Sequence, residues 1–329
     1  MHRADQLIWI AWQEHRRSRE LAAALGASLF TILRGGKYLT RITILSLRTV
    51  ALLLRLRPGR VIVQNPSMVL ASIVCFLKPL FHFKVIVDRH SNFKFETSTS
   101  KDLKYRVFHY LSRYTVRRAD LTIVTNSYLK RLVQMWDGRG FVLQDKIPGL
   151  YRSRPGLRRL SGEQNIVCIC SFSGDEPIDE ILQAAGRLDG SLAIYMTGNS
   201  REYLRRSQQQ LPPNVVFTGF LPESDFISLV VSADAVMALT TKEHILLCGA
   251  YEALAAGKPL ILSNTSALRE YFGDGPVYTE NKAAGIAEAI QSVIENRAAI
   301  AANISDLRKE LFAAWTLKFD DILALIRNL

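Results

Sequence analysis

The sequence predicts an α/β protein made of two tandem Rossmann-like domains that face each other across a cleft. Three observations carry that prediction. Strand-like runs alternate with helix-like runs along nearly all 329 residues. The strand runs are continuously apolar rather than alternating, which marks parallel strands buried on both faces. A stretch rich in Pro, Gly and Arg, KIPGLYRSRPGLRRLSGEQ at 146–164, separates two sets of six such runs.

In the first half the strands are read at 6–12, 28–33, 61–65, 84–90, 121–126 and 141–145. In the second half they fall at 165–172, 192–198, 214–219, 235–240, 259–264 and 276–280. The domain limits follow: a first domain over 1–150, a linker over 151–163 and a second domain over 164–310. A helical tail runs from about 282 to 329 with a break near Asn303, and its last part, 311–329, is expected to pack back on the first domain. An apolar content of 48% supports a large core and excludes a disordered chain. No internal repeat or low-complexity tract is present.

The net charge of +12 hides a split. Through residue 160 there are 29 Lys and Arg against 9 Asp and Glu, a surplus of 20 positive charges. From 161 onward the counts are 13 and 21, a surplus of 8 negative charges. The basic half should therefore meet something anionic: phosphate, nucleic acid or an acidic membrane surface. The four cysteines show no metal spacing, and Cys168 and Cys170 are too close on one strand to bridge, so a reducing compartment fits. The opening MHRADQLIWIAW lacks the pattern of a signal peptide, and the longest apolar run, MVLASIVCFL at 68–77, is too short to cross a bilayer.

Ligands of such sheets bind beyond the carboxyl ends of the strands. In the first half this nominates the segment after the first strand, with Glu14, His15, Arg16 and Arg17, and the segment VDRHSNF, with Asp88, His90 and Ser91. Two arginines at the positive end of a helix dipole are in conflict unless an anion joins them. Arg16 and Arg17 are accordingly expected to receive a pyrophosphate, with plain solvation an equal alternative. In the second half the rule nominates Ser171, Ser173, Gly198, Asn199, Phe220, Thr241, Lys242 and His244. Arg41, Arg48 and Arg55 recur every seven residues, a single cationic stripe on an apolar helix. With Lys101, Lys104 and Arg113 of a second basic, aromatic helix they are the expected membrane contacts, a solvated stripe being the alternative.

The segments NVVFTGFLPESDFISLVVSADAVMALT and GAYEALAAGKPLILSN resemble the nucleotide-sugar-binding domain of GT-B glycosyltransferases. The resemblance makes Glu252 the carboxylate that accepts both ribose hydroxyls, with the neighbouring helix end receiving the pyrophosphate. It gives Gly249 and Ala250 the task of letting phosphate approach. The family's usual first acid, eight residues before Glu252, is here His244, and Glu243 is one residue out of register. That departure points away from a retaining mechanism. VIVQNPS, KVIVDRHSNF, CSFSGDEPIDEILQAA and SADAVMALTT, spread over about 61–264, resemble the chitobiosyldiphosphodolichol β-mannosyltransferases, and more loosely a bacterial glucuronosyltransferase of xanthan assembly.

The resemblance implies an inverting, metal-independent transfer to a lipid-linked acceptor, peripheral on the inner face of the cytoplasmic membrane. No cofactor is expected beyond the nucleotide diphosphate sugar donor, and a protein partner of an assembly pathway is possible. Asp88 is the expected base, with His90 as alternate base or sugar contact. For Asp88 a pairing with Arg89 or a capping role stays open. Three other readings also stay open. They are a retaining transferase using His244 or Glu243, a catalytically silent sugar-nucleotide-binding paralogue, and a nucleic-acid binder. The last lacks stacking aromatics and helix-turn-helix or finger spacing, so no nucleic acid is expected.

Overall fold

The computed structural model describes residues 6–65, 67–149, 156–207 and 211–329. Part of the expected linker, 151–155, lies outside the described residues. The chain divides into two compact units, Met1–Asp145 with Thr316–Leu329, and Lys146–Trp315.

Unit 1 holds β1 (Leu7–Ala11), α1 (Arg16–Ala24), β2 (Ser28–Thr31), α2 (Tyr38–Leu56), β3 (Arg60–Gln64) and α3 (Met68–Phe81). It continues with β4 (Lys84–His90), α4 (Leu103–Arg118), β5 (Leu121–Val124), α5 (Ser127–Met135) and β6 (Gly140–Val142). The strands form one sheet in the order β2-β1-β3-β4-β5-β6, all pairs parallel. Ile8, Ile10, Val61, Val63, Val85 and Val87 carry one face of it into the core with Leu45, Leu53, Leu70 and Val74 of the helices. On α2 the buried stripe is Leu45, Thr49 and Leu53, spaced by four, and Thr49 Oγ1 accepts from the buried Trp12 indole N–H at 3.0 Å.

Unit 2 repeats the scheme with β7 (Gln164–Cys168), α6 (Ile178–Ala185), β8 (Leu192–Thr197), α7 (Arg201–Arg206), β9 (Val215–Gly219) and α8 (Glu223–Ser232). β10 (Ala235–Ala238), α9 (Cys248–Ala256), β11 (Leu260–Ser263), α10 (Ser266–Phe272), β12 (Val277–Thr279) and α11 (Ala283–Glu295) complete it. The order is β12-β11-β10-β7-β8-β9, again parallel. All twelve strands thus lie where the apolar runs placed them. The chain order reverses between β1 and β3 in unit 1 and between β7 and β10 in unit 2, the two points where such sheets open a ligand crevice.

The helical tail differs from the expectation. Its break is at Asn296, whose amide donates to the Ser292 carbonyl at 3.0 Å, and α12 (Arg297–Arg327) then runs unbroken through Asn303. Ile300 and Ile304 must both face the unit 2 core, so the helical period is held there while Asn303 points to solvent. The end of α12 belongs to unit 1, where Arg60 donates to the Arg327 carbonyl and Lys318 to the Gln144 side chain. Among the described residues no helix is long and apolar enough to cross a membrane.

Candidate active site

The carboxyl ends of β1, β4 and β6 bring together a charged cluster in unit 1. His15 caps α1, its Nδ1 accepting from Arg17 N–H at 3.2 Å, and so fixes the first helical turn. Arg17 follows with only 6% of its surface exposed. Its Nε contacts both Asp88 oxygens at 3.1 Å, its NH2 reaches Asp88 Oδ1 at 3.0 Å, and its NH1 donates to Asp145 Oδ1 at 2.6 Å. A last bond goes to the Leu143 carbonyl at 3.0 Å.

This arrangement corrects two expectations. Arg17 does not wait for a pyrophosphate: its conflict with the helix dipole is resolved inside the fold by two carboxylates. Asp88, 3% exposed, is the counter-ion of that buried guanidinium rather than a base open to an acceptor. Neither of the alternatives weighed for Asp88, Arg89 or a turn, is its partner. Burial opposes the Arg17 charge, but Asp88 and Asp145 together raise its pKa. Burial likewise opposes ionisation of Asp145. The Arg17 charge and the His90 contact prevail and hold its carboxyl well below the usual range.

His90 ends β4 in the left-handed region, φ +55°, where the pairing with β5 slips between Asp88 and His90. A non-glycine residue held there is an uncommon conformation, and such outliers concentrate at functional sites. Its Nε2 lies 3.3 Å from Asp145 Oδ2 and its Nδ1 3.2 Å from Ser91 Oγ. Between Asp88 and His90, Arg89 turns to the opposite side and is fully buried. It donates to the Ser112 carbonyl at 3.2 Å and the Asn92 carbonyl at 3.1 Å, and lies 3.9 Å over the Phe93 ring. Burial pushes its pKa down to about 9. The turn carrying His90 and Ser91 is thus pinned to α4. Asp145 was not singled out from the sequence. The carboxyl-end rule applied to the sixth strand run would have found it. Glu14 is exposed and Arg16 half-buried on the same segment.

The cluster predicts acid sensitivity. His15 is shifted down by burial, and then by His90, while Asp145 is shifted down as described. Both groups bind fewer protons folded than unfolded. Stability is therefore full above the ordinary His value of 6.5 and declines as pH falls through the carboxylate range near about 4. Urea unfolding between pH 7.5 and about pH 2 should show that decline, and Asp145→Asn should flatten its part below the ordinary Asp value of 3.8. An unchanged slope in the variant would refute the assignment.

In unit 2 the loops after β7 and β10, at the switch point, are tied by Asp175. Its Oδ2 accepts from Thr240 Oγ1 at 3.0 Å, its carbonyl accepts from Thr241 N–H at 2.7 Å, and Lys242 Nζ lies 3.4 Å from Oδ1. Burial raises the Asp175 pKa, but Ser173, Thr240 and Lys242 outweigh it and the net shift is down. Glu176 takes Ser171 N–H at 3.0 Å, Ser173 N–H at 2.9 Å and Ser171 Oγ at 3.1 Å, around Phe172 at φ +60°. Ser171 and Ser173, nominated as donor contacts, therefore bind this carboxylate. Gly198, at φ +88°, would place a Cβ 2.3 Å from the Cys170 carbonyl, so only glycine closes that turn. Asn199 caps Arg201 N–H at 3.2 Å, and Phe220 is 90% exposed just after β9.

Glu252 lies in the second turn of α9, 7% exposed. A Cβ on Gly249 would sit 2.9 Å from Ala238 Cβ and 3.0 Å from Ile169 Cβ. Ala250 is fully buried. The small residues thus serve close packing of helix on sheet, which is a different reason from the phosphate access expected of them. Glu243 accepts from Ser266 N–H at 3.0 Å and Ser266 Oγ at 3.1 Å at the start of α10, so it is not poised as a substitute acid. His244 is half-buried on the same loop and its pKa is lowered by that burial, against Glu243.

The six membrane-contact candidates sit on α2, on α4 and in the approach to α4. Arg48, Arg55, Lys101, Lys104 and Arg113 are exposed, whereas Arg41 is half-buried beside the Tyr38 ring at 5.8 Å. Among the described residues no group of three or more His, Cys, Asp or Glu is placed to hold a metal ion.

Two parallel doubly wound units are the fold that the GT-B resemblance implies. Residues 153–310 match the family described as Glycosyl transferases group 1. Over 109 residues it is 34% identical to the GDP-mannose-dependent alpha-(1-6)-phosphatidylinositol dimannoside mannosyltransferase of Mycobacterium tuberculosis. That match covers 32% of this chain and 28% of the relative, so the chain spans under a third of that protein's length. The fold is similar to sucrose-phosphate synthase of Thermosynechococcus elongatus, with TM-score 0.76, 15% identity and 98% of each chain covered. It is also similar to HepE of Anabaena, solved in complex with UDP, with TM-score 0.72, 13% identity, and 98% and 100% covered.

Proposed function

We propose that the chain is an inverting, metal-independent glycosyltransferase. It moves a sugar from a nucleoside diphosphate donor to a lipid-linked acceptor at an anionic membrane surface. The observation that carries this reading is Glu252, buried in α9 within the stretch that matches the group 1 family, beside the switch point of the second sheet. There its carboxylate accepts the two ribose hydroxyls, and the opening N–H groups of α9 face the diphosphate. Lys242 and His244 add donors on the neighbouring loop, and the exposed Phe220 ring offers a face for the base.

The base is His90. With Asp145 accepting the Nε2 proton, Nδ1 is left basic and the ring is held in one orientation. It takes the proton of the acceptor hydroxyl as the oxygen attacks the anomeric carbon. The bond from that carbon to the phosphate oxygen breaks, and the nucleoside diphosphate leaves with the electron pair. The relative named for GDP-mannose and a phosphatidylinositol dimannoside supports both the donor class and a lipid acceptor. Its alpha linkage favours a second reading, transfer with retention. The anomeric configuration of the product, read by NMR, separates the two.

The test is binding of UDP- and GDP-sugars to the whole chain by calorimetry, followed by transfer to polyprenyl-pyrophosphate-linked sugar in vesicles. Binding of at least one donor is expected. A chain that binds none is not this enzyme.

A further inference from the structure

α4 carries a second basic feature that the proposed chemistry does not use. Arg106, His109, Tyr110, Arg113, Tyr114 and Arg117 recur at three- and four-residue steps and so share one face of the helix. With Arg118 and serine hydroxyls of the 98–100 segment they line a groove of about 470 Å³. No acidic residue lines it, and α4 itself contains none. Among the pairings on its walls, Arg117 meets exposed Asp137 at 3.3 Å, His109 meets Thr97 Oγ1 at 3.0 Å, and Arg113 lies over the Trp136 ring at 5.7 Å. The groove's other three arginines gain no carboxylate from them.

Guanidinium forks recognise phosphate oxygens in pairs, and tyrosine and serine hydroxyls add directed donors, which a merely diffuse positive surface would not need. Beside the groove the same helix exposes Leu103, Val107 and Tyr110, and α3, packed against it, exposes Phe76 and Leu80. Large apolar side chains around a cluster of cations fit the boundary between headgroups and acyl chains.

We infer that the α4 groove binds the phosphomonoester headgroup of an anionic lipid. This rests on the reading that unit 1 works at a membrane. It goes beyond that reading by assigning a bounded site with headgroup selectivity, where a charged surface alone would respond only to total charge.

The test is sedimentation of the full chain with phosphatidylcholine vesicles carrying either phosphatidic acid or phosphatidylserine at matched total charge. The wild type should bind the phosphatidic acid vesicles about ten-fold more tightly. Arg106→Gln with Arg113→Gln should lose roughly 30-fold on phosphatidic acid and about 3-fold on phosphatidylserine, which brings the two vesicles level. Arg41→Gln with Arg48→Gln on α2 should weaken both vesicles alike and preserve the ratio. Unchanged circular dichroism and melting show that each variant is folded.

Equal binding to both vesicles, or equal losses in the two double variants, overturns the groove and leaves the membrane reading standing. Binding to neither vesicle overturns both. Full displacement by inorganic phosphate equimolar with the lipid phosphate reassigns the groove to a soluble phosphate. RNA binding that depends on α4, without vesicle selectivity, reassigns it to nucleic acid.

Discussion

His90→Asn should lower the transfer rate by about 10² to 10⁴, the range of a positioned general base, with donor affinity unchanged. Asn keeps a polar group on the strained corner and removes only the titratable nitrogen. Its melting temperature should stay close to that of the wild type, because His90 is at the edge of the buried ion cluster rather than inside it. The contrast is Asp88→Asn. That change leaves the Arg17 guanidinium with one carboxylate instead of two in a buried site, where breaking such a pair costs about 3–5 kcal/mol. Activity and stability should fall together in Asp88→Asn and separate in His90→Asn. Single-turnover rates and thermal melts on the same samples decide it. A His90→Asn rate within a few-fold of wild type would return the base to another group.

Glu252→Gln is the second large effect. A carboxylate taking two ribose hydroxyls contributes charge-assisted bonds worth about 1.5–3 kcal/mol together, so donor affinity should weaken by roughly 10- to 150-fold. The amide keeps the shape of the side chain in α9, so the sheet-facing contacts of Gly249 and Ala250 are untouched. Calorimetry with the nucleoside diphosphate alone checks this, since the ribose contact does not need the sugar. Equal affinity in wild type and variant would mean that Glu252 is a structural carboxylate within the helix.

Much of the fold was legible because a parallel strand covered on both faces has no polar side to hide. The runs QLIWIAW, VIVQN and LTIVTN could only be buried, and they are. The helix break was less legible. Asn303 and Asn296 have the same weak helix propensity, and only the need to bury Ile300 and Ile304 decides between them. The site was legible by place and less so by partner. The carboxyl-end rule pointed to the segments holding His15, Arg17, Asp88 and His90. It could not show that Arg17 and Asp88, 71 residues apart, spend their charges on each other.

The sequence by itself determined the fold class of two covered parallel sheets, the basic first half, and the small-residue helix that carries Glu252. Each of these is a local or summed property, written in hydrophobic pattern, charge count or short spacing. The tertiary structure alone decided which charges are available for chemistry. Pairing depends on distances between strand ends far apart in the chain, and burial decides whether a pair is satisfied internally. That is why Asp145 enters beside His90, why Arg17 withdraws into the core, and why Gly249 is small for the sake of packing.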